Sequence, residues 1–165
     1  MKIPEFAVLG HPNEGKSTVV STLSENDSVR VSGTPGETRV CRTFLVTVDD
    51  REILKFVDTP GFQVPRKTLK WFKNFSGKQN DIVRNFISEH RDNIIFRDEC
   101  ELLSPVERGA GIIYVVDGSR PVRQEDIAEM EILRLTGRPR MAIINSKNQD
   151  HDYSSDWKNE FRKNF

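Results

Sequence analysis

The chain has 165 residues, the size of one domain with one core. Apolar residues make up 36% and charged residues 30%, a polar but globular balance in which no run reads as a membrane span. Basic and acidic residues number 25 each, so bulk charge favours neither nucleic acid nor an anionic membrane as a partner.

Met1-Lys2-Ile3-Pro4 leads into an apolar run with no secretory signal. A strand is expected over Glu5–Leu9, and a helix over 16–24. Between them stands Gly10-His11-Pro12-Asn13-Glu14-Gly15-Lys16-Ser17, a G-x-x-x-x-G-K-S pattern in the strand-loop-helix setting that a phosphate-binding loop needs. Gly10 and Gly15 let the backbone curl and turn its N–H groups toward phosphate oxygens. The helix start adds the positive end of its dipole. Lys16 supplies a cation for the β and γ phosphates, and Ser17 a hydroxyl for Mg²⁺. Asn13, Glu14, Gly15 and Thr18 belong to the same nucleotide-binding set. His11 reads as an exposed loop residue rather than a catalyst.

A polar loop is expected over 25–37. Strands over 43–48 and 53–57, joined at Asp49-Asp50, read as an antiparallel hairpin. Thr38, in Pro35-Gly36-Glu37-Thr38-Arg39, is placed to close over the γ phosphate and ligate Mg²⁺. Asp58-Thr59-Pro60-Gly61 follows the second hairpin strand, with Asp58 expected near the metal and the Gly61 N–H at the γ phosphate.

Residues 64–108 exceed what a minimal domain needs here and are expected to form a helical insertion. Ile82 with Phe86 and Val83 with Ile87 make one apolar stripe, and Leu102, Leu103 and Val106 another. Arg66 to Lys78 holds five basic residues and no acidic one, interleaved with Trp71, Phe72 and Phe75. That pattern fits a nucleic-acid or membrane contact. An amphipathic helix packing its aromatics on the domain is the preferred reading, given the zero net charge. Buried parallel strands are expected over 112–116 and 141–144, with a helix over 124–136 between them. A last helix over 156–163 is capped by Ser154 or Ser155. Alternating strands and helices place ligands at the carboxyl ends of the strands. Cys41 and Cys100, and His11, His90 and His151, form no metal-ligand or triad spacing, and a reducing cytoplasm with inert thiols is the expected setting.

GHPNEGKS resembles the G-x-P-N-x-G-K-S of the TrmE–Era branch of small GTPases; PGETR is similar to its G-T-T-R, DTPG is shared, and Val116-Asp117-Gly118-Ser119 matches its strand-end V-D-x-S. The longer matches around PEFAVLGHPNEGKS and IIYVVDGSRPVRQEDIAEMEILRLTGRPRMAIIN are similar to a bacterial family of larger predicted GTPases, in which such a domain precedes an uncharacterised C-terminal region. The resemblance implies a Ras-like α/β fold, a mostly parallel sheet with one antiparallel strand, and a single G domain over 1–165. It implies GTP and GDP as ligands, slow Mg²⁺-dependent hydrolysis, and a molecular switch acting on an effector protein. Asn13 implies a potassium ion beside the phosphates, where an arginine finger stands elsewhere; the alternative is that Asn13 only stabilises the loop turn.

Three departures qualify this. The guanine motif N-K-x-D is replaced by Asn145-Ser146-Lys147-Asn148, in which Asn145 fits the base contact, Lys147 is one place late and Asn148 stands for the aspartate. An amide offers one acceptor oxygen and no charge, so guanine selectivity weakens by roughly 1.5–3 kcal/mol unless Asp150 reaches the base. Phe62 follows DTPG where many GTPases carry a water-orienting glutamine, and Gln63, one place on, is expected to point elsewhere. Two alternatives therefore stay open: an interaction module that binds nucleotide with little turnover, and an NTPase of relaxed base specificity. Finally, few residues follow Asn148, so the chain is expected to be a C-terminally truncated G domain with an uncovered strand edge. Reduced nucleotide affinity and self-association are the expected results; sedimentation that finds only monomer at high concentration contradicts the second.

Overall fold

The computed structural model describes residues 3–23, 40–48, 51–148 and 150–165. Five strands form one sheet among them: β1 (Glu5–Leu9), β2 (Arg42–Val48), β3 (Arg51–Asp58), β4 (Gly111–Asp117) and β5 (Arg140–Asn145). The spatial order is β2-β3-β1-β4-β5. β2 and β3 are the antiparallel hairpin, and every other neighbouring pair is parallel. The α/β architecture with one antiparallel strand is thus the one expected.

β1 is central, and its pleat divides the core. Ala7 and Leu9 face one side with Ile112, Tyr114 and Val116, while Val8 faces the other with Phe56, Ile113 and Val115. A strand buried on both faces must be apolar throughout, which is why these runs lack alternation. Helix α1 (Lys16–Leu23) covers the second face through Val20. The first face takes α2 (Pro65–Asn74), α3 (Ile82–His90), α4 (Arg97–Glu107), α5 (Gln124–Leu135) and α6 (Ser154–Asn164). In register, Val8 lies opposite Asp58 and Leu9 opposite Tyr114. The carboxyl ends of β1, β3 and β4 therefore converge, and the loops leaving them meet at one place.

The residues between β3 and β4 are helical, with short 3₁₀ turns at Gln79–Asp81 and Ile94–Phe96. Pro65 opens α2 at a position where its missing N–H has no partner to lose. The aromatics of α2 turn inward, as the amphipathic reading anticipates. Trp71 stacks on Phe75 at 5.4 Å and meets Phe86 edge-on at 5.2 Å, and Phe86 stacks on His90 at 4.6 Å. Arg66, Lys67, Lys70 and Lys73 remain exposed.

Helix α6 starts earlier than expected and without a serine cap. Asp152 Oδ1 accepts from the Ser154 N–H at 2.9 Å, because Ser154 itself is already the first helical residue. Fully buried Trp157 fastens the helix by donating from Nε1 to Arg120 O at 2.9 Å. Burial pushes the Cys41 thiol up to about 12 and that of Cys100 to about 11, so both stay protonated at neutral pH. No helix among the described residues is long and apolar enough to cross a membrane.

Phe86 is fully enclosed where α2, α3 and the Ile94–Phe96 turn meet. Phe86→Ala is expected to cost ~3–5 kcal/mol through lost contacts and residual cavity, read as a lower urea midpoint at unchanged slope.

Candidate functional site

The loop after β1 is pressed against the strand ends. Gly10 has φ +153°, and a Cβ there would lie 2.3 Å from the Val115 carbonyl oxygen. Gly15 has φ +85°, and its Cβ would lie 2.4 Å from Asn145 Nδ2. Asn13 takes φ +64°, the left-handed region that asparagine tolerates better than most residues. These three positions curl the chain, and the Val19 N–H bonding to Gly15 O at 2.9 Å begins α1.

Lys16 is 7% exposed, and its ammonium donates to His11 O at 2.8 Å across the loop. Burial lowers its pKa, and a phosphate arriving beside it would pair with the ammonium and favour its charged form. Ser17 Oγ donates to Asp58 Oδ2 at 2.6 Å, joining the end of β3 to the start of α1. This is an all-oxygen donor pair beside the loop, the chemistry that Mg²⁺ takes. Gly61 is pressed on the loop as well: a Cβ there would lie 2.4 Å from Pro12 N. Thr59 Oγ1 donates to Val8 O at 2.7 Å and ties the same segment to β1.

A cavity of about 300 Å³ opens between these segments, lined by Asn13, Gly15, Lys16, Ser17, Thr18 and Gly61 together with Gln63 and Lys147. Asn145 donates from Nδ2 to Glu14 O at 3.2 Å, linking β5 to the loop. The late lysine of Asn-Ser-Lys-Asn still reaches the loop. Ser146 Oγ lies beside Gly118, while Lys147 Cε approaches to 3.7 Å from where a Gly15 Cβ would stand. Asn148 is exposed, and its Oδ1 accepts the Asp150 N–H at 2.9 Å. Thr38 lies outside the described residues.

Several side chains hold this site through contacts that sequence patterns did not show. Glu14 is buried and its carboxylate turns away from the cavity. Arg120 donates from Nε to Glu14 Oε1 at 2.9 Å and from Nη1 to Asp126 Oδ2 at 2.6 Å, so any role of Glu14 toward nucleotide falls to its backbone. The Arg120 guanidinium lies 5.2 Å over the Trp157 ring. His11 is not an exposed loop residue. Its Nδ1 pairs with Glu129 Oε1 at 2.9 Å, and the other oxygen of that fully buried carboxylate accepts from Tyr114 OH at 2.9 Å. The Glu129 hydrogen bond raises the His11 pKa.

Gln63 also departs from expectation. Phe62 is the residue turned into the core, fully buried, so Gln63 projects the other way and lines the cavity. Glu99 of α4 is fully buried, and its Oε1 accepts the N–H groups of Gln63 at 2.7 Å and Val64 at 2.5 Å. No local pattern marks Glu99, Glu129 or Arg120, because each acts on a segment remote in sequence.

A model of the family described as 50S ribosome-binding GTPase matches residues 5–146. The chain is 29% identical over 143 residues to the probable GTP-binding protein EngB of Acidobacterium capsulatum, covering 85% of this chain and 58% of that protein. It is 28% identical over 142 residues to GTPase Der of Paraburkholderia phymatum, covering 86% of this chain and 26% of that one. The chain thus spans about half the length of the first relative and a quarter of the second. Among solved structures, an Aquifex aeolicus Era variant bound to GDP.AlF4- superposes with a TM-score of 0.60 at 19% identity, covering 99% of this chain and 48% of that one. That likeness shows the fold.

The His11–Glu129 pair carries a proton that folding favours, since burial also raises the Glu129 pKa. Its stabilisation is complete below the unfolded histidine value of about 6.5 and is lost as pH rises through the higher folded value. Urea midpoints of the wild type and His11→Ala, compared from acid to alkaline pH, are expected to converge as pH rises; a constant gap contradicts this.

Proposed function

The chain belongs to the 50S ribosome-binding GTPase family, and from that premise we propose that it is a Mg²⁺-dependent molecular switch that binds GTP and hydrolyses it slowly. The observation that carries this is the Ser17–Asp58 hydrogen bond beside the buried Lys16, at the mouth of a cavity that Gly61 also lines. Backbone N–H groups of the loop and Lys16 hold the phosphates. Ser17 and Thr38 would hold Mg²⁺, with Asp58 as a further oxygen donor. The ion, when bound, neutralises charge developing between the β and γ phosphates. The Gly61 N–H senses the γ phosphate, and its tight seat against Pro12 makes it responsive to anything placed there.

Asn145 and Lys147 flank the loop on the base side, and Asn148 reads the base with a single amide. Asn13, on the cavity wall, takes a potassium ion beside the phosphates. The unit acts as a single G domain with a helical insertion over 64–108. That insertion, next to the γ-phosphate segment, is the surface that meets an effector.

Relaxed base preference is the second reading, favoured by one observation: the Asn148 side chain is exposed and already engaged by the Asp150 N–H. Binding and hydrolysis of GTP, ATP and xanthosine triphosphate in potassium and in sodium separate these readings. Turnover of GTP alone, raised by potassium, supports the switch; equal use of ATP supports relaxed specificity; binding without turnover supports a nucleotide-dependent interaction module. In the same assay Lys16→Ala is expected to weaken GTP binding roughly 10–100-fold, the equivalent of 1.5–3 kcal/mol for a charged hydrogen bond.

A further inference from the structure

Gln63 stands two places beyond Gly61, and what aims it is the residue between them. Phe62 is fully buried, and its N–H donates to Gly10 O at 3.2 Å. Successive side chains of an extended segment point to opposite sides. Fixing Phe62 in the core therefore sends Gln63 to the cavity, beside Lys16, Ser17 and Gly61. Its Nε2 reaches back to Gly61 O at 3.4 Å, so the amide lies along the segment assigned to the γ phosphate.

A second element holds that backbone. Glu99 is in the first turn of α4, where it accepts from two consecutive amides, those of Gln63 and Val64. A buried carboxylate is costly unless it is hydrogen-bonded. Its other oxygen, Oε2, is buried with no hydrogen-bond partner among the described residues. Among the described residues, the hydrogen bonds this carboxylate accepts from another element come from the Gln63–Val64 backbone, so its position and theirs are linked. Two residues along α4, Glu101 Oε1 accepts the Cys41 N–H at 2.9 Å, and Glu101 O accepts from Cys41 Sγ at 3.3 Å. One helix thus holds both the Gln63–Val64 segment and the chain entering β2. Three other described side chains nearby are engaged or unsuited. His11 is paired with Glu129, Glu14 with Arg120, and Phe62 has no polar group.

We propose that Gln63 orients the water that attacks the γ phosphate, and that Glu99 is the positioning residue that holds Gln63 in place. The inference rests on the GTPase reading above. The Gln63 amide oxygen accepts a hydrogen bond from the water while its NH₂ donates to a γ-phosphate oxygen. The water oxygen bonds to the γ phosphorus as the bond to the β–γ bridging oxygen breaks. The electron pair leaves with GDP, the water's proton ends on inorganic phosphate, and Gln63 is unchanged.

Single-turnover GTP hydrolysis and GTP affinity, measured on the whole chain, test this. Gln63→Ala is expected to slow hydrolysis ~100-fold, the scale of removing one preorganised polar group, with affinity unchanged. Glu99→Ala is expected to slow it by a similar factor, with no further loss when the two changes are combined. Glu99→Gln keeps an acceptor oxygen and is expected to restore most of the rate; if Glu99→Ala does not fold, Glu99→Leu, which fills the buried site without an acceptor, takes its place in the combined variant. Hydrolysis that survives Gln63→Ala overturns the assignment of Gln63. Multiplying losses in the combined variant overturn the assignment of Glu99 and leave it a structural residue. Wild-type protein that binds GTP without turning it over overturns the GTPase reading itself, a result distinct from both.

Discussion

The site depends on how closely one loop is pressed against the strand ends. Gly10 has the Val115 carbonyl oxygen where a side chain would be, and Gly61 has the nitrogen of Pro12 there. Any Cβ at either position would meet backbone, which cannot swing aside. Three strands, β1, β3 and β4, are thereby brought to one point. The Ser17–Asp58 bond is possible only because the end of β3 lies that near the start of α1. The parallel register sets the convergence, and the glycines let it close.

Around this contact the protein places more buried charge than its neutral composition announces. Glu14, Glu99, Asp126 and Glu129 are all buried, and Arg120 is nearly so. Ion pairs of this kind contribute little net stability, because desolvation offsets attraction. What they supply is position. Three of them reach from a remote element to the phosphate loop or to the segment after Gly61: Arg120 from beyond β4, Glu129 from α5, Glu99 from α4. The loop, which has few apolar contacts of its own, is fixed from outside by directional bonds.

The inserted helices are joined to the site in the same way. The aromatic packing of Trp71, Phe86 and His90 makes α2 and α3 one body, while α4 carries the two glutamates that hold the Gln63–Val64 segment and the chain entering β2. Glu99 therefore ties the segment after Gly61 to the helices behind it. The insertion is thus joined to the segment that lines the cavity through named bonds and not through nearness alone.

Much of the architecture was legible from local pattern. The strand before Gly10, the antiparallel pair β2 and β3, the apolar run over 112–116 and the G-x-x-x-x-G-K-S loop all declare themselves within a few residues, because periodicity and backbone freedom are local properties. The same holds for Ser17 and Asp58 as a pair, since the position of each follows from its own strand end. Three matters were decided only by the tertiary structure. His11 found a buried partner on α5, Lys147 regained the loop from one place late, and Gln63 faced the cavity because Phe62 was claimed by the core. In each case the deciding contact joins elements far apart in the chain, and side-chain direction there depends on which neighbour is buried, not on residue type.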